Sequence, residues 1–448
     1  MSKIIIANVD SDAMCGTDME PEIHALSSMC CCRLIALAED DDLVVLPHSV
    51  SDAYIGYVNR LLGRNLSRDN VIVPRRGDEE QIILNFDSLC DGDVERQIAE
   101  RVGSVRGWEL EAYFLDRAVI HLAERLDLAL DSRTRGYLRA GGAESYNSKV
   151  LFRQFAAACG VPIAEGRMAS TAAELGRAVA ELLNRTGRVM IKQDTNSGSA
   201  GNTAITTFDE DRLTGAWQVK RVPDGADVEK FATWLWPQIA VQRNTRVVVE
   251  VYHLSEQALY SELLVRGPGV APLLLNFGEM RMEPTFIGFE IPSQRLSQFD
   301  IGEMISHSAN LARAAADAGF TGYMNVDSIL TMTGKIMFTE VNGRMGDCTH
   351  IDYWARKLLG DDYGRNHVLL TRNWIGASSF EDTLNALDEA GVSYSHETKS
   401  GVILPIEDVD RSGTFDYMVI GDTLEHALAI EALAHKALDF DPANHSVH

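Results

Sequence analysis

Asp327 and Glu340 are two carboxylates placed to face each other. Residues 323–330 and 335–341 both read as strands, and Met332-Thr333-Gly334-Lys335 between them reads as a turn centred on Thr-Gly. A two-residue loop there sets Asp327 opposite Glu340 and Asn325 opposite Asn342. Directly opposed side chains have Cβ atoms roughly 5 Å apart, where like charges repel. A divalent cation between them reverses that sign. Strand alternation puts Asn325, Asp327 and Ile329 on one face with Phe338, Glu340 and Asn342. Val326, Leu330, Met337 and Val341 fall on the other face. Oxygen ligands alone suit Mg²⁺ or Mn²⁺ better than zinc, so Asp327 and Glu340 are the candidate metal ligands. The competing readings of the same spacing are a protonated acid pair and a different turn.

Lys192 ends the apolar run Val189-Met190-Ile191, so its ammonium points into the protein or a cleft and needs an anionic partner. Small residues follow it: Ser197, Gly198, Ser199, Ala200 and Gly201. Such a loop folds tightly and turns backbone N–H groups toward phosphate oxygens. No Gly-Lys-Ser/Thr follows, so it is not a Walker loop; alone, it is equally an ordinary turn. Glu250 is a lone acid in the strand-like run Arg246-Val247-Val248-Val249-Glu250-Val251-Tyr252. It needs a donor, which a purine amino group, a ribose hydroxyl or a neighbouring arginine would supply. Arg344 follows Glu340 and Asn342 at spacing two and shares their face if the strand continues past Gly343. An arginine beside a metal-bound phosphate neutralises charge on a phosphoryl group in transfer; the alternative is a surface ion pair.

The elements that carry these residues read as α/β material. Strands are expected at residues 4–9, 43–46, 71–73 and 82–86, with a helix at 50–62, a long amphipathic helix at 111–128 and a breaker at 136–142. A helix over 149–158 has Asn147 or Ser148 as its cap and Gly160 beyond its end. A second helix covers 171–183, strands cover 188–192 and 203–207, and 245–254 with 259–265 read as a strand pair. A helix at 303–318, stopped by Gly319, leads into the carboxylate hairpin. Strands at 401–404 and 415–420 and a helix at 423–438 complete the chain. These breaks suggest segments 1–145, 146–364 and 365–448.

Composition narrows the partners. The chain has 448 residues, 46% of them hydrophobic and 24% charged, as in ordinary globular proteins, with a net charge of −24. That charge argues against nucleic acid and anionic membrane as partners. No run approaches the ~20 apolar residues of a membrane span, and the short run at residues 4–7 is no signal peptide. The seven cysteines, three of them consecutive at Cys30, Cys31 and Cys32, fit neither a disulfide framework nor zinc spacing, so a reducing cytoplasm is expected. The scattered histidines lack an HExxH motif.

Lys149, Lys192 with its small-residue loop, Glu250, Asp327 and the run Glu340-Val341-Asn342-Gly343-Arg344 stand in an order that resembles ATP-grasp enzymes, over about residues 145–355. The resemblance implies an ATP-grasp fold, with ATP between two α+β lobes and an N-terminal pre-ATP-grasp α/β domain. It implies that Lys149 and Lys192 contact phosphates and adenine, that the loop of Ser197, Gly198, Ser199, Ala200 and Gly201 folds over the phosphates, and that Glu250 meets adenine or ribose. Asp327, Glu340 and Asn342 would hold magnesium. The family joins a carboxylic acid to an amine through an acyl phosphate, releasing ADP and phosphate. The C-terminal extension is similar to that of peptide ligases of the pheganomycin-biosynthesis type. There the acid is a guanidino-bearing phenylglycine derivative and the amine belongs to a peptide, an antibiotic-forming reaction. Several amino-acid ligases of the family carry a basic residue two positions before the first metal acid. Asn325 stands there instead, which leaves Arg344, Arg281 or Arg266 to stabilise the acyl phosphate. A dipeptide or small-amine ligase, a carboxylase, a phosphotransferase and a nucleotide-binding regulatory module are the rival expectations, and a homodimer is compatible with all of them. No biotin-carrier tract is recognised, which weighs against the carboxylase.

Overall fold

The computed structural model describes residues 2–15, 28–75, 83–128, 132–196, 199–240 and 245–442. Its first sheet is parallel, in the order β3-β2-β1-β4, from β1 (Lys3–Ile6), β2 (Leu43–Val45), β3 (Val71–Ile72) and β4 (Glu109–Ala112). Ile4, Ile5 and Ile6 are wholly buried because a central parallel strand is covered on both faces. The helix expected over 111–128 is instead strand β4 followed by a helix at Arg117–Arg125. Asp116 marks the real start by accepting from the Val119 N–H, while pairing with distant β1 claims the residues before it. The strand expected at 82–86 is also absent. Ile82 lies outside the described residues, and Asn85 caps a helix at Phe86–Cys90. Gly136, expected within a breaker, sits inside the helix Ser132–Arg139.

A five-stranded sheet, β5-β9-β6-β7-β8, is built from β5 (Gly166–Ala169), β6 (Arg188–Gln193), β7 (Asn202–Thr206), β8 (Gln218–Arg221) and β9 (Val247–Val251). The helix Lys149–Ala158 precedes it, with Ser148 as the cap through the Leu151 N–H. The helix Ala172–Thr186 buries Leu175, Val179, Leu182 and Leu183 against Val189, Ile191, Val247 and Val249.

The third sheet is wholly antiparallel, in the order β14-β13-β10-β11-β12-β15-β17-β16. Its strands are β10 (Ser255–Val265), β11 (Leu273–Met282), β12 (Phe286–Ile291), β13 (Gly322–Thr331), β14 (Ile336–Asn342), β15 (Val368–Gly376), β16 (Gly401–Asp408) and β17 (Thr414–Gly421). Strands from the last segment of the chain thus continue the sheet that carries the carboxylate hairpin. The expected pairing of 245–254 with 259–265 does not occur. β9 belongs to the five-stranded sheet and β10 to this one, and Tyr252-His253-Leu254 carries the chain across. The helix Gln298–Ala318 begins before its expected start, at a Ser297 cap, and packs Met304, Leu311, Ala312 and Ala315 with Val326, Leu330, Phe338 and Val341. Among the described residues no helix is long and apolar enough to cross a membrane.

Candidate active site

The hairpin of β13 and β14 sets Asp327 opposite Glu340 and Asn325 opposite Asn342, as the sequence led us to expect, but by a different route. Gly334 adopts φ +71° and the Thr331 carbonyl accepts from its N–H, while the Thr331 N–H donates to the Lys335 carbonyl. The loop therefore holds three residues, Met332, Thr333 and Gly334, with glycine in the left-handed position. The extra residue shifts the register by one from Leu330–Ile336 to Ser328–Phe338, and a bulge then restores it at Asp327–Glu340. The sides of Met337 and Phe338 are consequently exchanged relative to simple alternation. Phe338 pairs with Ser328 and is 1% exposed, packed with Val326 and Val341, while Met337 pairs with Ile329 on the side of Asp327.

A cleft of about 320 Å³ lies between the five-stranded and eight-stranded sheets and reaches Val9, Asp10 and Tyr113 beside the parallel sheet. Lys149, Lys192, Glu250, Asp327, Glu340 and Asn342 all line it, as do Ser199, Ala200, Gly201 and Arg344. Ser197 and Gly198 lie outside the described residues.

Lys149 Nζ stands 3.1 Å from Glu340 Oε2 and donates to the Asn196 carbonyl at 3.1 Å. Lys192 Nζ stands 2.9 Å from Glu250 Oε2 and donates to the Thr339 carbonyl at 3.3 Å, beside the bulge. The donors Glu250 requires are therefore side chains: Lys192 on one oxygen and Arg153 Nη1 on the other, at 2.7 Å. Arg153 was not singled out in the sequence, although it lies one helical turn beyond Lys149, on the same face. Asp194 was also missed, two residues beyond Lys192 on the same strand face. Its Oδ1 accepts from Ser148 Oγ at 2.5 Å and from the Val150 N–H at 3.0 Å. Its Oδ2 pairs with Arg246 at 2.7 Å, and its carbonyl accepts from the Lys149 N–H. Asp194 thereby fixes the helix bearing Lys149 to the strand end bearing Lys192.

Arg344 keeps the cleft face after β14 ends. Its Nη1 donates to Tyr113 Oη at 3.0 Å and its Nη2 to Asn342 Oδ1 at 3.4 Å, while its buried Nε has no hydrogen-bond partner among the described residues. Tyr113 lies just beyond β4 of the parallel sheet, and its ring also stacks under Arg33 at 5.0 Å, whose Nη1 pairs with Asp347 at 2.7 Å. Arg281 is not brought to the cleft. Met280 and Met282 line it, so alternation turns Arg281 to the opposite face, where both its Nη atoms bind the Glu431 carboxylate at 2.6 and 3.0 Å. Arg266 is exposed and donates to the Ala271 carbonyl.

A Pre ATP-grasp domain model matches residues 31–128, and a PGM1 C-terminal domain model matches residues 382–434. No curated protein matches the chain. Among solved structures, biotin carboxylase from Campylobacter jejuni in complex with a form of ATP is 13% identical, with 98% of this chain and 93% of that one covered and a TM-score of 0.59. N5-carboxyaminoimidazole synthase from Aspergillus clavatus, in complex with ADP and its ribonucleotide, is 14% identical over 98% of both chains with a TM-score of 0.56. N5-carboxyaminoimidazole ribonucleotide synthetase from Thermus thermophilus is 13% identical over 99% of both, with a TM-score of 0.55. The chain has the ATP-grasp fold.

The donor set of the cleft suits magnesium. Burial, then the neighbouring Glu340, pushes the Asp327 carboxyl well above the usual range, and the two acids share a hydrogen bond. Burial opposes ionisation of Glu340 too, but Lys149 and Lys192 outweigh it and hold Glu340 below the usual range. Two carboxylates held opposite each other disfavour a second negative charge, and a divalent cation between them relieves that repulsion. No group of three or more His, Cys, Asp or Glu side chains gathers among the described residues. A bound ion would draw its remaining ligands from Asn342 Oδ1 and from phosphate or water oxygens.

Proposed function

We propose that the protein is an ADP-forming ligase that activates a carboxylic acid as an acyl phosphate and couples it to the amino terminus of a peptide. The observation that carries this reading is the pairing of Asp327 with Glu340 across the bulged hairpin, with Lys149 and Lys192 reaching over it. A carboxylate is a poor electrophile, and attack of its oxygen on the γ-phosphate of ATP makes a mixed anhydride that an amine opens. In that chemistry the protein aligns the partners and neutralises charge. Lys149 and Lys192 exchange their carboxylate partners for phosphate oxygens. Residues 199–201 turn their backbone toward those oxygens, and Arg344, steadied by Tyr113 and Asn342, meets the phosphoryl group in transfer. Mg²⁺ held by Asp327, Glu340 and Asn342 would supply charge neutralisation between phosphates.

The peptide as amine partner rests on the resemblance of the C-terminal extension to that of peptide ligases of the pheganomycin-biosynthesis type. A second reading, with bicarbonate as the acid, is favoured by the carboxylase among the similar structures. The test is a mass-spectrometric screen of acid and peptide pairs with ATP, including bicarbonate and one N-acetylated peptide. Coupled product with the free peptide and none with its acetylated form supports the peptide ligase. Coupling of single amino acids alone makes it a dipeptide or small-amine ligase, and a carboxylated amine makes it a carboxylase.

A further inference from the structure

The last helix, Leu424–Ala437, buries Ala427, Ile430, Glu431 and Ala434 against the eight-stranded sheet. Its outward face is also apolar. Leu428 is 47% and Leu433 52% exposed, with Ala429 and Ala432 exposed between them. A helix that is apolar on both sides is ordinarily covered on both sides. Glu425 and Lys436, also exposed, stand at the two ends of this stripe. Residues 425, 428, 429, 432, 433 and 436 follow the spacing of one helical face. The order of chemistry along that face reads Glu, Leu, Ala, Ala, Leu, Lys, which is complementary to itself when reversed.

We infer that this face binds the same face of a second copy of the chain, the two helices running antiparallel about a two-fold axis. Such an axis requires that residue i meet j and j meet i. It passes between Ile430 and Glu431, setting Leu428 against the partner's Leu433 and Ala429 against the partner's Ala432. Glu425 then faces the partner's Lys436 twice over, once at each end, about 16 Å apart along the helix axis. The alanines let the helices approach closely, at the short end of the 8–10 Å range for packed helices. The ion pairs choose the antiparallel register, because a parallel arrangement sets Glu425 against Glu425. One helix face per subunit is small beside the ~1,200 Å² of stable complexes, so the dimer dissociates at about micromolar concentration. None of the residues that line the cleft takes part, and the inference stands independently of the ligase reading.

Sedimentation equilibrium over a concentration series, with the full chain and its charge variants, tests this. The wild type should pass from one chain to two as concentration rises. Glu425→Lys and Lys436→Glu should each weaken the dimer by at least about tenfold, since each reversal creates two like-charge contacts across the axis. The double reversal should restore it to within about threefold of the wild type, because it rebuilds both pairs with the charges exchanged. Leu428→Glu, on the exposed face, should abolish it with the helix content unchanged by circular dichroism. A wild type that stays a single chain throughout overturns the inference. So does a dimer that the single reversals leave intact, or one that the double reversal fails to rescue.

Discussion

Glu340 meets Lys149 at one oxygen, stands opposite Asp327 across the hairpin, and lies within the field of Lys192. Substituting glutamine keeps the shape and removes the charge, so Glu340→Gln should fold normally yet lose product formation by about a hundredfold or more, as expected when a metal loses an anionic ligand. Turnover measured at saturating Mg²⁺ decides it, and an unchanged rate removes the metal role of the hairpin. Asp194 acts at one remove, since it holds the start of the Lys149 helix without touching the acids. Asp194→Ala leaves the Ser148 hydroxyl, the Val150 N–H and Arg246 without their acceptor, at a cost of about 1–3 kcal/mol. It should weaken Mg·ATP binding by about tenfold in calorimetry, while a Glu425→Lys control leaves binding unchanged. Equal affinity in wild type and Asp194→Ala would show that the brace has no part in nucleotide binding. The acid pair was legible in the sequence because its geometry is local to one hairpin. The partners of Glu250 and Asp194 were not, because Arg153 lies 97 residues from Glu250 and Arg246 lies 52 from Asp194.

Between elements, the decisive features are the bulged hairpin and the loop joining β6 to β7. The loop is anchored at both ends. The Gln193 N–H donates to the Gly201 carbonyl, and a side chain at Gly201 would run into Gln193. Ser199 holds φ +68°, a left-handed backbone position costly for a residue with a side chain. Closing over phosphates from fixed ends should slow amide exchange at residues 199–203 when Mg·ATP binds. Hydrogen exchange with and without nucleotide measures this, and equal rates would make the segment an ordinary turn. The hairpin shows how a correct pairing can be read from an incorrect turn. The three-residue loop and the bulge each displace the register by one, and the two displacements cancel at Asp327. A bulge has no signature in strand alternation, so the exchange of Met337 and Phe338 was not readable. The same holds for β9 and β10: two apolar runs with a short link look like a hairpin. Only the packing of helices against separate sheets pulls them apart.

At the scale of the whole molecule, burial leaves acids that titrate in the neutral range. Glu262 is wholly buried beneath Asn325, and burial pushes it up to about 7 against the pull of Thr349 and Asn276. Asp416 is pushed up to about 7 by the same cause. The folded chain retains these two protons above the range in which an unfolded acid releases them, so between about pH 4.5 and 7 the contribution of these two acids to stability falls as pH rises. Glu262→Gln lacks one of these titrations. Between pH 5 and 7.5 the melting temperature of wild type relative to the variant should therefore fall, and a pH-independent difference would contradict the burial of that charge. The α/β character of the chain and its last helix were legible from periodicity. The joining of β15, β16 and β17 to the hairpin's sheet was not, because partners so distant in sequence leave no local trace. All of this architecture serves one chemical claim, that an acid oxygen attacks the γ-phosphate of ATP. The direct measurement uses a substrate acid labelled with ¹⁸O in its carboxylate, coupled to its amine with ATP and Mg²⁺, with every phosphorus-containing product weighed. ADP with inorganic phosphate carrying one ¹⁸O from the acid is the result expected; AMP carrying the label, with pyrophosphate, would contradict it.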